Sequence, residues 1–140
     1  MVLSDIRIGL QALLIADHIY HDQMSGKYVI AGTFHQWNLP FFPFTFNQPF
    51  AIFASLSGVY GKKQVRFEFI DAANNKILMK TNLLEIANND QNSAVSFAIE
   101  IPPLYIPHSG SYYFSLIIED AIIGKINLTA FELNSKNDGK

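Results

Sequence analysis

Cysteine is absent from this chain of 140 residues. Its absence excludes disulfides, thiolate metal sites and cysteine nucleophiles. It also fits a reducing compartment, so a cytoplasmic location is expected. Because 49% of the residues are hydrophobic, one domain of this length has enough apolar side chains for a core without covalent staples.

Charged residues are also scarce, at 16% of the chain, and the formal net charge is −2. The only arginines are Arg7 and Arg66, and the lysines are scattered. Proteins that bind nucleic acid or anionic membranes usually carry a basic face, so neither partner is expected. Low charge together with 14% aromatic residues instead favours binding to another protein or self-association.

Long apolar runs are missing, and none is sufficient to cross a membrane. The N-terminus superficially resembles a signal peptide, but Asp5 and Gln11 interrupt the pattern and no small-residue cleavage site follows. We therefore expect residues 1–9 to form an N-terminal tail and residues 10–133 a single β-sandwich domain. Residues 134–140 are polar and are expected to form a frayed C-terminal tail.

Alternation of apolar and polar residues is the dominant pattern that is present. A period of two is typical of half-buried strands, and no window shows a helical stripe with caps. Bulges are expected where the alternation changes phase, near residues 81–84 and 130–131. Strands are predicted at residues 10–20, 27–34, 50–57, 64–71, 76–87, 94–101, 111–119 and 124–133.

Short strands separated by turns predict an all-β, immunoglobulin-like antiparallel β-sandwich of about seven to eight strands. Tyr112 follows a proline-rich crossing and Gly110, at the start of an alternating strand. This is the pattern of a tyrosine corner, in which the hydroxyl bonds to upstream backbone. The antibody disulfide is excluded, since Phe114 stands where its second cysteine would be, and Trp37 is expected in a loop.

The segment DHIYHDQMSGKYVIAGTF, residues 17–34, combines a strand, an acidic turn ending in Gly-Lys and a second strand ending in Gly-x-Phe. A proline-containing loop follows, and a Gly-x-Tyr strand at 110–112 precedes a last hairpin at 119–124. Over residues 13–133 this pattern resembles a family of small uncharacterised bacterial β-sandwich proteins, a domain of unknown function. The resemblance implies a cytosolic bacterial accessory domain and supplies no catalytic residues.

Histidines and carboxylates form no recognisable catalytic motif. His18 and His21 lie beside Asp17 and Asp22, but positions 18 and 21 of a strand point to opposite faces. Two ligands on one face fall short of the three or four usual for zinc, so neither a metal nor a cofactor is expected. Glutamates such as Glu68 are expected mostly on the outward phase of their strands. Without a nucleophile elbow or a phosphate-binding glycine loop, we expect no enzyme.

Residues 39–50, LPFFPFTFNQPF, are too rich in proline for the middle of a sheet and too rich in phenylalanine for an ordinary solvated loop. Most of these rings are expected to seal one open end of the sandwich. Trp37, Phe41 and Phe42 are instead expected to remain exposed as an interaction surface, because aromatic residues are enriched in interface hot spots.

The function expected first is a non-catalytic protein-interaction or assembly module that acts through this aromatic segment or through an exposed strand edge. The alternative is a small-ligand module that binds carbohydrate. Trp37 stands beside His35, Gln36 and Asn38, which would supply hydrogen bonds to a sugar held on its ring.

Overall fold

The computed structural model describes residues 8–133 of the chain. This part of the chain forms twelve strands and no helix. In chain order they are β1 (Gly9–His21), β2 (Tyr28–Thr33), β3 (Gln36–Leu39), β4 (Phe44–Phe46), β5 (Phe50–Ser57), β6 (Gly61–Asp71), β7 (Lys76–Lys80), β8 (Leu84–Asn88), β9 (Val95–Ile101), β10 (Leu104–Ile106), β11 (Gly110–Ile118) and β12 (Ala121–Glu132). Residues 1–7 and the whole predicted tail 134–140 lie outside the described residues.

The strands form two main sheets, so the predicted all-β class is confirmed. One sheet has the order β2-β1-β5-β9, and the other has the order β3-β12-β11-β6-β7 with β8 also on β6. A separate pair, β10 and β4, makes a small third sheet. The pairing of β3 with β12 is parallel, and the other strand pairs are antiparallel.

The two main sheets follow the immunoglobulin arrangement. Strands β1, β5 and β9 take the places of strands A, B and E, while β6, β11 and β12 take those of C, F and G. In constant-type domains a fourth strand, D, lies beside strand E. Within residues 8–133 no strand occupies that place, so the outer edge of β9 is unpaired.

The core lies between the inner faces of the two main sheets. Phe97 from one sheet lies 6.5 Å from Phe67 of the other, measured between ring centroids, and Phe50 lies 6.2 Å from Phe114. All four rings are buried, and burying a side chain of this size contributes about 1.5–3 kcal/mol. Period-two patterning therefore places one large apolar face on each sheet, as the sequence predicts.

Twelve strands are found where eight are predicted, partly because one predicted strand is broken. Thr81 separates β7 from β8: its N–H donates to the Phe67 carbonyl at 2.9 Å, and its hydroxyl accepts from the Phe67 N–H at 2.9 Å. At 81–84, where a bulge is expected, the structure instead interrupts the strand. The bulge expected at 130–131 is wrong, since the β11–β12 register shifts between Leu116 and Ile117 instead.

The remaining additional strands come from proline-rich segments. Strands β3 and β4 lie before β5, and β10 lies in the crossing that precedes β11. Phe42, Phe44 and Phe46 pack against the core from this side. Prolines cannot donate a ladder hydrogen bond, so these strands are short and stand outside the central pairings.

The hairpin of β1 and β2 folds over the outer face of its own sheet. Phe53 points away from the core side chains Ile52 and Ala54, yet it is buried. The ring of Tyr28 covers it at 5.2 Å, and the Tyr28 hydroxyl donates to the Ser96 carbonyl at 3.3 Å. This contact ties the hairpin to β5 and β9.

Glu68 is a buried carboxylate on the outward face of β6. It occupies the outward phase of β6 but is buried, because it lies between Ser115 and Lys80 of the two neighbouring strands. Its Oε2 accepts from Arg66 Nε and Nη2, each at 2.9 Å. A carboxylate that loses water needs such a charged donor, and Arg66 supplies it.

Candidate functional site

Trp37 is not exposed, so its predicted place in an interaction surface is wrong. Only 4% of this residue is accessible. It lies on β3 rather than in a loop, opposite Ala130 of β12, and its ring lies 5.3 Å from Phe46 and 6.1 Å from Phe69. The small side chain of Ala130 leaves room for the indole to face the core.

Phe41 and Phe42 lie in different environments. Phe41 is 57% exposed and meets Phe44 edge-on at 5.4 Å, while Phe42 is half-buried and packs against the core. The structure therefore leaves Phe41 as the one exposed ring of the three predicted residues. A single exposed ring is common on soluble proteins and does not by itself mark a docking surface.

A groove runs along the unpaired edge of β9. Its volume is about 820 Å³. One wall is made by residues 98–103 of β9 and the prolines that follow it, and the other by residues 80–84 between β7 and β8. The groove thus lies between an edge of one main sheet and an edge of the other.

The chemistry of this groove suits a polypeptide backbone. Every second residue of an unpaired edge strand presents its N–H and C=O groups outward, ready for another strand. The facing wall carries Leu83, which is 60% exposed, and Leu84. Lys80 and Glu100 also line the groove, so its charges balance. The arrangement offers ladder hydrogen bonds and apolar contacts.

A smaller cavity of about 300 Å³ lies beside Trp37. The Trp37 indole Nε1 is buried and has no hydrogen-bond partner among residues 8–133. Leaving a buried donor unpaired costs about 1–3 kcal/mol, which makes this atom unusual. Asp17 and Gln48 line the same cavity.

The predicted tyrosine corner is present. Tyr112 is buried, and its hydroxyl donates to the His108 carbonyl at 2.5 Å and accepts from the His108 N–H at 3.2 Å. Burial raises the pKa of Tyr112, against the opposing effect of its bond to His108. The neutral phenol therefore holds the backbone of the segment before β11 in place through these two hydrogen bonds.

His108 also joins the corner to β6, which the sequence does not reveal. Its Nδ1 lies 2.7 Å from the Ser109 carbonyl and its Nε2 2.6 Å from Asp71 Oδ2. The bond to Ser109, followed by the bond to Asp71, raises the pKa of His108. Both ring nitrogens are engaged, so His108 links the segment before β11 to β6.

His18 and His21 each lie in a stacked pair with a tyrosine. His18 stacks on Tyr20 at 5.9 Å and His21 on Tyr28 at 4.6 Å. Within residues 8–133 no three histidine or carboxylate side chains converge as metal ligands would. The same part of the chain contains no helix with the length and apolar character that a membrane crossing requires.

The architecture is that of an all-β, immunoglobulin-like sandwich domain. The chain belongs to a family of unknown function, DUF6941, whose model matches residues 11–131. The expected membership of an uncharacterised domain family is thereby confirmed, whereas the bacterial origin stays a prediction. No curated protein matches the sequence.

One solved structure that shares the fold is Pseudomonas fluorescens alkylpurine DNA glycosylase AlkC bound to DNA containing an abasic site analogue. The TM-score is 0.58 and the sequence identity 9%, over 92% of this chain and 32% of the glycosylase chain. This chain thus spans about a third of that protein's length. At this identity the likeness shows the fold alone.

Proposed function

We propose that this protein is a non-catalytic interaction module that binds an extended segment of another polypeptide as an added strand on β9. The observation that carries the proposal is the unpaired edge of β9 beside a groove of about 820 Å³. Main-chain hydrogen bonds along such an edge give affinity, and side-chain pockets beside it give specificity.

The vacant place of strand D supports this use of the edge. In constant-type immunoglobulin domains strand D occupies this place beside strand E. An incoming segment would make the same kind of pairing with β9. Edge strands usually avoid foreign strands through charges, prolines or short length. In β9 the prolines, Pro102 and Pro103, come only after the last residue of the strand, and Glu100 is its one charged residue. Most of the edge therefore lacks this protection.

The size of the groove matches a single strand. Neighbouring strands lie about 4.8 Å apart and packed sheets about 10 Å apart, so one strand occupies a cross-section of roughly 48 Å². The groove of about 820 Å³ then holds roughly 17 Å of extended chain. At about 3.4 Å per residue this corresponds to about five residues of one extended strand.

The walls indicate which segment fits. In an extended chain alternate side chains point to opposite sides. One set faces Leu83, Leu84 and Ile99, and the other faces solvent. We therefore expect partners with apolar residues at every second position and little net charge. A cytoplasmic partner agrees with the absence of cysteine from this chain.

A displayed library of random linear peptides tests the proposal, with the folded chain as bait. Recovered peptides are then titrated against wild type, Leu83→Glu and the matched control Ile122→Glu, a highly exposed isoleucine on β12 that does not line the groove. Leu83→Glu replaces an apolar contact with a charge and is expected to weaken binding at least about tenfold. Ile122→Glu should leave it unchanged.

Three results would overturn the proposal. The first is a library that yields no peptide with alternating apolar residues, and the second is an equal loss of binding in both variants. The third is a wild-type dimer, seen by light scattering, that Leu83→Glu dissociates, because the edge then serves a second copy of this chain.

A further inference from the structure

We propose that Tyr28 closes one end of the open edge of β9 and thereby limits the length of the segment that binds there, an inference that rests on the proposed function because it concerns the same edge. Tyr28 lies on β2, which is separated from β9 by β1 and β5 in the sheet. Its hydroxyl nevertheless reaches β9, where it donates to the Ser96 carbonyl at 3.3 Å.

The direction of the backbone groups in this sheet follows from one hydrogen bond beside β2. The Phe34 N–H donates to the Ile15 carbonyl at 3.1 Å, so Ile15 of β1 presents its C=O group toward β2. Successive residues of a strand present these groups to opposite sides, so Ala16 presents its own toward β5. Ala16 is paired with Ala51, which therefore faces β1, and the next residue, Ile52, faces β9.

The same alternation identifies the residues of β9 that face the open edge. Ile99 is paired with Ile52, so its N–H and C=O groups point toward β5. The pairing of β5 with β9 has no register shift. Ser96, Ala98 and Glu100 therefore present their N–H and C=O groups to the unpaired edge, where an added strand would bond to them.

The side chains agree with this assignment. In an antiparallel sheet, side chains come closest in the pairs that share no backbone hydrogen bond. Ser55 and Ser96 form such a pair if Ser96 faces the open edge, and the Ser96 hydroxyl donates to the Ser55 hydroxyl at 3.1 Å.

Tyr28 occupies the Ser96 end of this edge. Its ring is held between two others, with centroid distances of 5.2 Å to Phe53 and 4.6 Å to His21. The hydroxyl is thus fixed on a carbonyl that faces the open edge. A strand that extended to Ser96 would compete with this hydroxyl for the carbonyl oxygen.

The extent of the groove agrees with a limit at this point. The groove is lined by residues 98–101 of β9 and the two prolines that follow, and not by residues 95–97 of the described chain. Ala98 and Glu100 therefore remain open, and each can exchange two hydrogen bonds with one residue of an added strand. An antiparallel strand in the place of strand D would have its C-terminal end near Ser96. Tyr28 therefore restricts extension of the bound segment at its C-terminus.

A peptide that amide shifts place on β9 is synthesised as selected and with two alanines added at its C-terminus. Both lengths are titrated against wild type, Tyr28→Phe and Tyr20→Phe. Tyr28→Phe keeps the ring and removes only the hydroxyl, and the control removes the hydroxyl of a tyrosine of β1 that is 56% exposed. The added alanines should raise the affinity of Tyr28→Phe about fivefold, the effect of one hydrogen bond, and leave the other two proteins within about twofold. A purely structural role of Tyr28 would change the affinity for both lengths alike.

The carbonyl carbon resonance of Ser96 in the free protein gives a second readout that needs no peptide. Tyr28→Phe should shift this resonance, and Tyr20→Phe should leave it in place. An unshifted resonance, or an equal gain from the added alanines in wild type and Tyr28→Phe, overturns the role of Tyr28 alone. Failure of every peptide to bind β9 overturns the proposed function and the length limit together.

Discussion

His108 and Asp71 are joined by a short contact, with 2.6 Å between His108 Nε2 and Asp71 Oδ2. The other ring nitrogen lies 2.7 Å from the Ser109 carbonyl oxygen. Both partners accept hydrogen bonds, so both ring nitrogens must carry a proton for both bonds to form. The two contacts therefore favour the imidazolium form of His108, and they raise its pKa.

This contact makes the stability of the fold depend on pH. The pKa of His108 is raised above its ordinary value of about 6.5, first by the Ser109 carbonyl and then by Asp71. A raised pKa means that the contribution is fully present below about pH 6.5 and is lost as the pH rises through the folded-state value. Because the side chain is 44% exposed, the loss is expected to stay below about 1 kcal/mol.

Urea unfolding of wild type and His108→Gln, from mildly acid to mildly alkaline pH, measures this dependence. The free-energy difference between the two proteins should shrink as the pH rises. A difference that is constant or grows with pH would contradict the charged contact.

The tyrosine corner itself should contribute more to the free energy of unfolding than the contact between His108 and Asp71. Tyr112→Phe leaves the partly buried N–H and C=O of His108 without their partner, so we expect a loss of about 1–3 kcal/mol in the free energy of unfolding. The control is Tyr113→Phe, whose hydroxyl bonds to Asn75 at the surface and should cost less than about 0.5 kcal/mol. Equal denaturation midpoints for the two variants would argue against the corner.

These two features differ in how far the sequence predicts them. Tyr112 is recognised from neighbouring residues, because its hydroxyl bonds only four positions upstream. His108 and Asp71 are 37 residues apart, and their contact depends on the pairing of β6 with β11. Long-range pairing of this kind leaves no local pattern around either residue.

Trp37 and Phe41 should respond oppositely to truncation. Trp37→Ala removes a buried ring from among Phe46, Phe50 and Phe69, and is expected to cost about 3–5 kcal/mol or to prevent folding. Phe41→Ala removes an exposed ring and should cost less than about 1 kcal/mol. Thermal melts of both variants decide the matter: a stable Trp37→Ala protein would contradict the burial of the indole.

The burial of Trp37 can be predicted from the sequence only in part. Residues 36–39 alternate polar and apolar, and the structure buries Trp37 and Leu39 while exposing Gln36 and Asn38. Four residues are too short a run to distinguish a strand from a loop by period alone. The parallel partner β12, which fixes the orientation, lies far along the chain.

The ion pair on the outward face of β6 gives a further test. Arg66→Met removes both donors to the buried Glu68 carboxylate, and we expect a loss of about 1.5–3 kcal/mol in unfolding free energy. Asp120→Asn is the matched control, because that carboxylate lies 3.5 Å from Arg66 Nη1 but is 92% exposed. Guanidinium chloride would screen such charges, so urea is the appropriate denaturant. Arg66→Met with wild-type stability would show that Glu68 is not held by this pair.

Addition of a strand to β9 is tested by amide NMR of the folded chain with a library-selected peptide. We expect the largest shifts in Val95–Ile101 and in residues 80–84, and we expect alternate β9 amides to become protected from hydrogen exchange. Shifts confined to the free edge of β2 or to Phe41, with the β9 amides unchanged, would contradict it.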